Sequence, residues 1–353
     1  MKEKCGVLLI VLIVGVLVFA DNIVSADQKP TTVAELALYK GPDRQQILEE
    51  GARKEGKCIL YTSGIISASV REVVGAFQKK YPYIKVDIWR ASSPKLISRT
   101  REEYKSGKYT HDILESSLNA QIVSREIGIS QPYYSPNLTN IREGAITKAP
   151  SGGVFSASFR MNDVGLGYNT NLISKEELPK TYQDLLDPKW EGKLTIAASG
   201  TSINWMATML EAYGEEFVEK IAKQNFILHS ISARALLDLI IAGEYSFSPA
   251  AYCPEVKQSK KIGAPIDWIY LEPVYVSITQ VSLPKHAPHP HAALLYIDHQ
   301  LSKEGAEVQE ANFYLSSRKD APSATTSKIF YGAKSAKQVK EWSELFNKLF
   351  LKH

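Results

Sequence analysis

Apolar residues are concentrated at the start of the chain. Val7 to Ala20 runs fourteen residues without a charge, behind the basic segment Met1-Lys2-Glu3-Lys4. Asp21 ends the run, and Val24-Ser25-Ala26 offers small residues where a signal peptidase cuts. The pattern predicts a secretory signal peptide over 1–26, cleaved after Ala26. An uncleaved membrane anchor is the rival reading, but fourteen residues fall short of the roughly 20 that span a bilayer.

Beyond the leader the periodicity alternates between strand and helix. Lys57 to Thr62 reads as a short apolar strand and Ser63-Gly64 as a turn. Ser67 to Lys80 carries Val70, Val73, Val74 and Phe77 at helical spacing and stops at Pro82. Ile84 to Trp89 alternates as a second strand, Arg90 to Ser93 is a polar turn, and Pro94 to Ser106 is a second amphipathic helix. His111 to Leu114 begins a third strand, followed by the polar turn Glu115-Ser116-Ser117. This β-α-β-α-β order predicts a mostly parallel sheet covered by helices.

The middle of the chain repeats the architecture without repeating the sequence. Phe155 to Phe159 and Val164 to Tyr168 read as separate strands, and Lys193 to Ala197 as another. Ser199-Gly200-Thr201-Ser202 is a turn opening the helix Asn204 to Ala212. Ser230 to Ile241 is a helix stopped by Gly243, and Tyr245 to Ala251 a strand ending near Tyr252-Cys253-Pro254. Pro290 to Leu301, Ser302 to Ala311 and Lys337 to Leu351 read as helices. Ala321-Pro322-Ser323 with Thr325 and Thr326 is a short small-residue loop.

Length and charge narrow the class. The 353 residues, 44% hydrophobic and 23% charged, exclude a disordered or collagen-like chain. Without 1–26 the chain has 327 residues, enough for two domains with cores of their own. Removing Lys2, Lys4, Glu3 and Asp21 leaves the net charge at +4, far below a nucleic-acid-binding excess. Cys5 precedes the apolar run, so it is not placed as a lipoprotein cysteine, and a soluble exported chain suits an enclosed periplasm. Cys58 and Cys253 either pair or stay as two separate buried thiols; sequence does not choose.

Catalytic signatures are missing. There is no Gly-x-Ser-x-Gly elbow, phosphate-binding loop, Cys-x-x-Cys or His-Glu-x-x-His. His286, His289, His291 and His299 form the most metal-like cluster, but zinc needs three or four converging ligands and solvated helix-end histidines fit as well. Cysteine catalysis stays open, since spatial pairing is invisible at this level. What recurs is hydroxyl- or glycine-rich turns between strand and helix: Ser63-Gly64, Ser92-Ser93, Ser116-Ser117 and Ser199-Gly200-Thr201. Helix starts offer free N–H groups and partial positive charge to anions, and in a parallel sheet such turns gather at one edge. The competing reading is that each Ser caps its own helix. Arg234, in the first turn of its helix, opposes the dipole unless an anion or carboxylate partners it; a solvated Arg is the alternative. Tyr252 either points into a cleft or packs. Glu115 either binds a ligand amine or metal or caps a helix.

These residues carry a resemblance. A two-lobed α/β chain beginning Ile59-Leu60-Tyr61-Thr62-Ser63 resembles the class II extracellular solute-binding proteins of ABC importers. Phe77-Gln78-Lys79-Lys80-Tyr81-Pro82, Tyr168-Asn169-Thr170, Ala242-Gly243-Glu244, Gly263-Ala264-Pro265 with Trp268, and His286-Ala287-Pro288-His289-Pro290 fit in the same order. The block from Tyr182 to Lys193 (YQDLLDPKWEGK) is the most specific. The resemblance implies a type II periplasmic binding fold with a cleft between two lobes, no catalysis and no cofactor. Its partners would be a small solute and the importer's membrane subunits, with the protein itself a monomer. It implies lobe 1 over 27–160 and 275–325 and lobe 2 over 161–274 and 326–353, with crossings near Arg160 and Glu272 to Ile278. Ser63, Gly64, Ser93 and Ser117 would serve the ligand from lobe 1, and Ser199, Gly200, Thr201, Arg234 and Tyr252 from lobe 2.

The ferric-iron-binding branch is nearest, and this chain departs from it. The resemblance to that branch implies iron held by two adjacent tyrosines, often a His and a Glu, and a bound anion. Here the tyrosine pair falls on Tyr252-Cys253 or Ala251-Tyr252, the His position near Ile65, and the Glu position near Ser117, with Glu115 two residues away. One phenolate and a Ser are poor equipment for a hard trivalent cation. The resemblance therefore favours a small anionic solute, with a metal held by Tyr252 and Glu115 as the alternative. An exported enzyme or a sensor subunit on the same fold is the third reading.

Overall fold

The computed structural model describes residues 29–64, 67–321 and 329–351. The leader, Ile65 and the loop at 322–328 lie outside them. Three parallel strands follow the alternation in the sequence: β1 (Lys57–Thr62), β2 (Lys85–Arg90) and β3 (Ile113–Ser117). β1 lies between the other two, pairing Lys57 to Thr62 with Lys85 to Arg90 and Leu60 to Thr62 with Ile113 to Glu115. Helix Ser67–Lys80 turns Val70, Val73, Val74 and Phe77 inward. Phe77 is fully buried, with ring centres of Tyr81 and Tyr296 each 5.1 Å away, which locks this helix to helix Pro290–Leu301. Truncating such a side chain to Ala costs about 3–5 kcal/mol.

The sheet is mixed rather than mostly parallel. Two long strands do this, and neither was expected as such. Val154–Asn169 is one sixteen-residue strand, not two short ones. Val274–Pro284 runs antiparallel to it and to β3, pairing Thr279 with Ser117 and with Arg160. The ladder carries through the polar stretch 160–163 because Arg160, Asn162 and Asp163 are themselves buried and the partner strand continues past them. Phe159 is an extra residue where the register shifts between Thr279 and Gln280. The far half of the sixteen-residue strand then pairs with Phe247–Tyr252 and Ile266–Ile269.

Two main cores result. One joins Leu36 through Phe159 with Ile278 through Leu301. The other gathers residues from Val164 to Ala250 with Leu271 and Tyr275, and adds Ile122 and the C-terminal segment Ala333 to Phe350. The block Tyr182–Lys193 packs in this second core: Trp190 meets Phe247 edge-on at 5.1 Å, and the Asp187 side chain accepts from the Lys189 amide. Helix Ala336–Phe350 lies against both helix Leu118–Glu126 and helix Gly200–Tyr213, so it touches both halves of the molecule. Helix Ala233–Ala242 ends where Gly243 adopts φ 86°, a left-handed turn that a side chain would strain.

The third strand corrects a local reading. Glu115 and Ser116 belong to β3 rather than to a turn after it, because Val281 and Gln280 extend the ladder across them. Cys58 and Cys253 are both free and buried, so the unpaired reading holds.

Candidate functional site

The carboxyl ends of β1, β2 and β3 and of Thr195–Ala197, Ile227–His229 and Phe247–Tyr252 converge on a cavity of about 800 Å³ between the two cores. That volume suits a small molecule. Ser63, Ser93, Ser117, Ser199, Gly200, Thr201, Arg234 and Tyr252 all line it. Gly64 does not: a Cβ there would lie 2.3 Å from Val70, and the residue packs behind Ser63. Glu115 is absent from the lining as well. Its carboxylate accepts from Thr62 at 2.8 Å and from Tyr296 at 3.0 Å, behind the cavity floor. Burial raises its pKa, and the charge of Arg160 opposes the shift.

The helix-start serines do not all cap. Ser92, Ser117 and Ser199 stand at N-cap positions without a side-chain cap bond, whereas Ser232 accepts from the Ala235 amide in the ordinary way. Ser93 Oγ accepts from the Ser117 amide at 3.2 Å, joining two of the turns. The Ser199 hydroxyl has no partner among the described residues, and a Cβ on Gly200 would meet nothing within 4 Å. Backbone and hydroxyl at the start of helix Gly200–Tyr213 are thus left to the cavity.

Thr201 and Tyr252 are linked. The Thr201 hydroxyl donates to the Tyr252 oxygen at 2.5 Å. Burial raises the Tyr252 pKa, while hydrogen bonds from Thr201 and Ser277 work in the other direction. Tyr252 is therefore a phenol at neutral pH, with its own proton to donate. Arg234 has found the carboxylate that its place in a first turn demanded: Nη2 donates to Asp238 at 2.6 Å and Nη1 to Ser259 at 3.0 Å. It lines the cavity with its charge already partnered.

Three charged residues of the cavity, Arg160, Glu255 and Arg101, escaped the sequence reading. Arg160 stands on the floor in the middle of the sixteen-residue strand, 4% exposed, with its guanidinium 4.6 Å from the centre of the Tyr314 ring. Its Nε has no acceptor among the described residues. Glu255 lies in the first turn of helix Cys253–Lys261, 2% exposed, with neither oxygen partnered. Burial pushes its pKa up to about 7, with Arg234 opposing and Asp238 reinforcing the rise. The signal for Arg160 was a cation inside an otherwise strand-like run. Glu255 gave none, since a Glu after Pro254 reads as an ordinary helix start. Arg101, also at the cavity, adds a third guanidinium.

The four histidines do not converge. His289 pairs with Asp112 at 2.9 Å, His291 with Glu55 at 2.7 Å, and His286 stacks on Tyr109 at 4.2 Å. His299 is buried, and desolvation lowers its pKa to about 4. Among the described residues no group of three or more His, Cys, Asp or Glu could hold a metal.

A family model described as bacterial extracellular solute-binding protein matches residues 111–335. The chain belongs to that family. A curated protein of Haemophilus influenzae named only as uncharacterised is 26% identical over 267 residues, covering 73% of this chain and 76% of that one. Iron uptake protein A1 of Synechocystis is 26% identical over 250 residues, covering 65% and 68%. The fold is shared with the periplasmic binding protein AfuA from Actinobacillus pleuropneumoniae, solved with fructose 6-phosphate bound. The TM-score is 0.72 at 21% identity, over 85% of this chain and all of that one. The chain is thus a two-lobed extracellular solute-binding protein of the kind that serves ABC importers, and its family is one of binding proteins rather than enzymes.

Proposed function

We propose that this solute-binding protein captures a small anionic solute between its lobes and delivers it to importer membrane subunits. The observation that carries the reading is Arg160, a buried guanidinium on the cavity floor whose Nε has no acceptor. A buried charge without its hydrogen bonds is costly, and a bound anion removes that cost. Around it stand the uncapped serines Ser117 and Ser199 and the first turn of helix Gly200–Tyr213, where amides favour negative charge. Ser63, Ser93, Thr201 and Tyr252 supply further hydroxyls, and Arg234, paired with Asp238, lines the wall. Gly64 supports the turn behind Ser63.

The two cores support lobes at 27–160 with 275–325, and at 161–274 with 326–353. Strands Val154–Asn169 and Val274–Pro284 run from one core to the other, so bending them changes the cleft. Solute touching both walls would stabilise the closed form, which the membrane subunits then read. The mature protein would be a periplasmic monomer cleaved after Ala26. Calorimetry with inorganic phosphate, sugar phosphates and organic carboxylates tests the reading. Arg160→Met should lower the affinity for the bound anion at least tenfold. Unchanged affinity removes Arg160 from the site.

The similarity to an iron uptake protein favours a second reading, in which Tyr252 ligates ferric iron. It requires Tyr252 to ionise, against the effect of its burial, and to find ligands from outside the chain. Loading with ferric citrate distinguishes the two, since a phenolate-to-iron absorption band belongs only to the second.

A further inference from the structure

Glu255 is the single carboxylate that lines the cavity among the described residues. It is 2% exposed, and neither Oε1 nor Oε2 accepts a hydrogen bond. Buried polar groups in folded proteins are satisfied almost without exception, so two orphan acceptors at a cavity wall call for donors from elsewhere. Glu115 makes the contrast: equally buried, it has Thr62 and Tyr296. Arg234 donates one N–H of Nη1 to Ser259 and one of Nη2 to Asp238, and none of its other N–H groups bonds Glu255. The anion-binding features, Arg160 and the start of helix Gly200–Tyr213, would repel nothing negative; Glu255 would. An anion alone therefore leaves Glu255 unsatisfied.

We propose that the solute is a hydroxylated anion, and that Glu255 is the residue that selects it by accepting hydrogen bonds from its hydroxyl groups. The inference rests on the anion reading above and deepens it. The anionic end sits with Arg160, and the polyol end turns toward helix Cys253–Lys261. A hydroxyl suits Glu255 better than an ammonium does. Arg101, Arg160 and Arg234 already line the cavity, so a ligand ammonium would add a further cation among them, whereas a hydroxyl donates without adding charge. Sites built to hydrogen-bond a substrate hydroxyl reject analogues that lack it strongly, because the site's own buried group is then left bare.

The test is calorimetry at pH 7 on the full mature chain, with fructose 6-phosphate, inorganic phosphate and 2-aminoethylphosphonate as probes. Wild-type protein should bind the hydroxylated phosphate at least tenfold more tightly than inorganic phosphate. In Glu255→Gln that preference should fall below threefold, with inorganic phosphate bound at least as tightly as by wild type, because the carboxylate that repels it is gone. Glu255→Asp, which keeps the carboxylate on a shorter stem, should retain more of the preference than Gln does, and thermal melts of both variants check that they fold. The inference is overturned if both phosphates bind wild type equally, if Glu255→Gln leaves the preference intact, or if 2-aminoethylphosphonate binds more tightly than the hydroxylated probe. If no anion of the wider panel binds at all, the anion reading falls as well, an outcome separate from anions binding without discrimination.

Discussion

The guanidinium of Arg160 lies over the ring of Tyr314, 4.6 Å from its centre. Arg160 comes from the strand that crosses between the cores, and Tyr314 from a segment whose neighbour Leu315 bridges to Met161. The ring fixes the cation without using its donors, so the N–H groups stay available to the cavity.

Tyr314→Leu should therefore weaken anion binding without abolishing it. A cation–π contact of this kind is worth about 0.5–2 kcal/mol, which corresponds to roughly a two- to thirtyfold rise in Kd. Arg160→Met should cost more than Tyr314→Leu. Calorimetry on both variants checks the order, and a larger effect of Tyr314→Leu would show that the ring itself contacts solute.

Tyr252→Phe removes a donor from the cavity and leaves the Thr201 hydroxyl without its acceptor. The expected loss is about 1–2 kcal/mol in solute binding, with the melting temperature little changed. Because burial raises the Tyr252 pKa, ultraviolet titration should find no difference between wild type and Tyr252→Phe below pH 10. A phenolate appearing near neutral pH would revive the iron reading.

Glu255 should make the empty protein less stable as pH rises. Its carboxyl titrates near 4.5 in the unfolded chain and at about 7 when folded, so between these values the folded state binds more protons. Stability falls as pH rises from about 4.5 to about 7 and is then level. The full difference corresponds to roughly 3 kcal/mol. Glu255→Gln should raise the melting temperature at pH 8, and the gain should shrink toward pH 4.5. Thermal melts across that range without ligand measure it; an equal gain at both ends would mean that titration is not the cause.

Cys58 and Cys253 should be inert in the native protein. Both are buried, and desolvation together with nearby carboxylates, Asp112 for Cys58 and Asp163 for Cys253, raises their pKa values well above the ordinary thiol range. A thiol reagent at pH 8 should label neither until denaturant is added, and then both. Fast labelling of one would show local opening around it.

Much of the local structure was legible in the chain. Strand Lys57–Thr62, helix Ser67–Lys80 and helix Pro290–Leu301 run over the same residues that their periodicity indicates. The helix-start turns also stood out, because capping and turn chemistry are written in neighbouring residues. That Ser92, Ser117 and Ser199 would not cap was not legible, since it depends on what faces them across the cavity. The place of Gly64 behind Ser63 was not legible either, since it depends on Val70, which folds back to 2.3 Å from where a side chain would begin.

The sequence by itself determined the alternation of strands and helices, the family, and the set of hydroxyl-bearing turns that the fold brings to one edge. The elements and turns rest on contacts within a few residues, and the family on short blocks that follow one another in a fixed order along the chain. Tertiary structure alone decided that Val154–Asn169 is one strand, since its polar centre is stabilised by pairing with Val274–Pro284 more than a hundred positions away. It alone decided which charges are spare. Arg234 looked free and is held by Asp238 and Ser259, whereas Arg160 and Glu255 looked ordinary and have unpartnered atoms at the cavity. Whether a charge is satisfied depends on groups distant in sequence, and no local pattern records them.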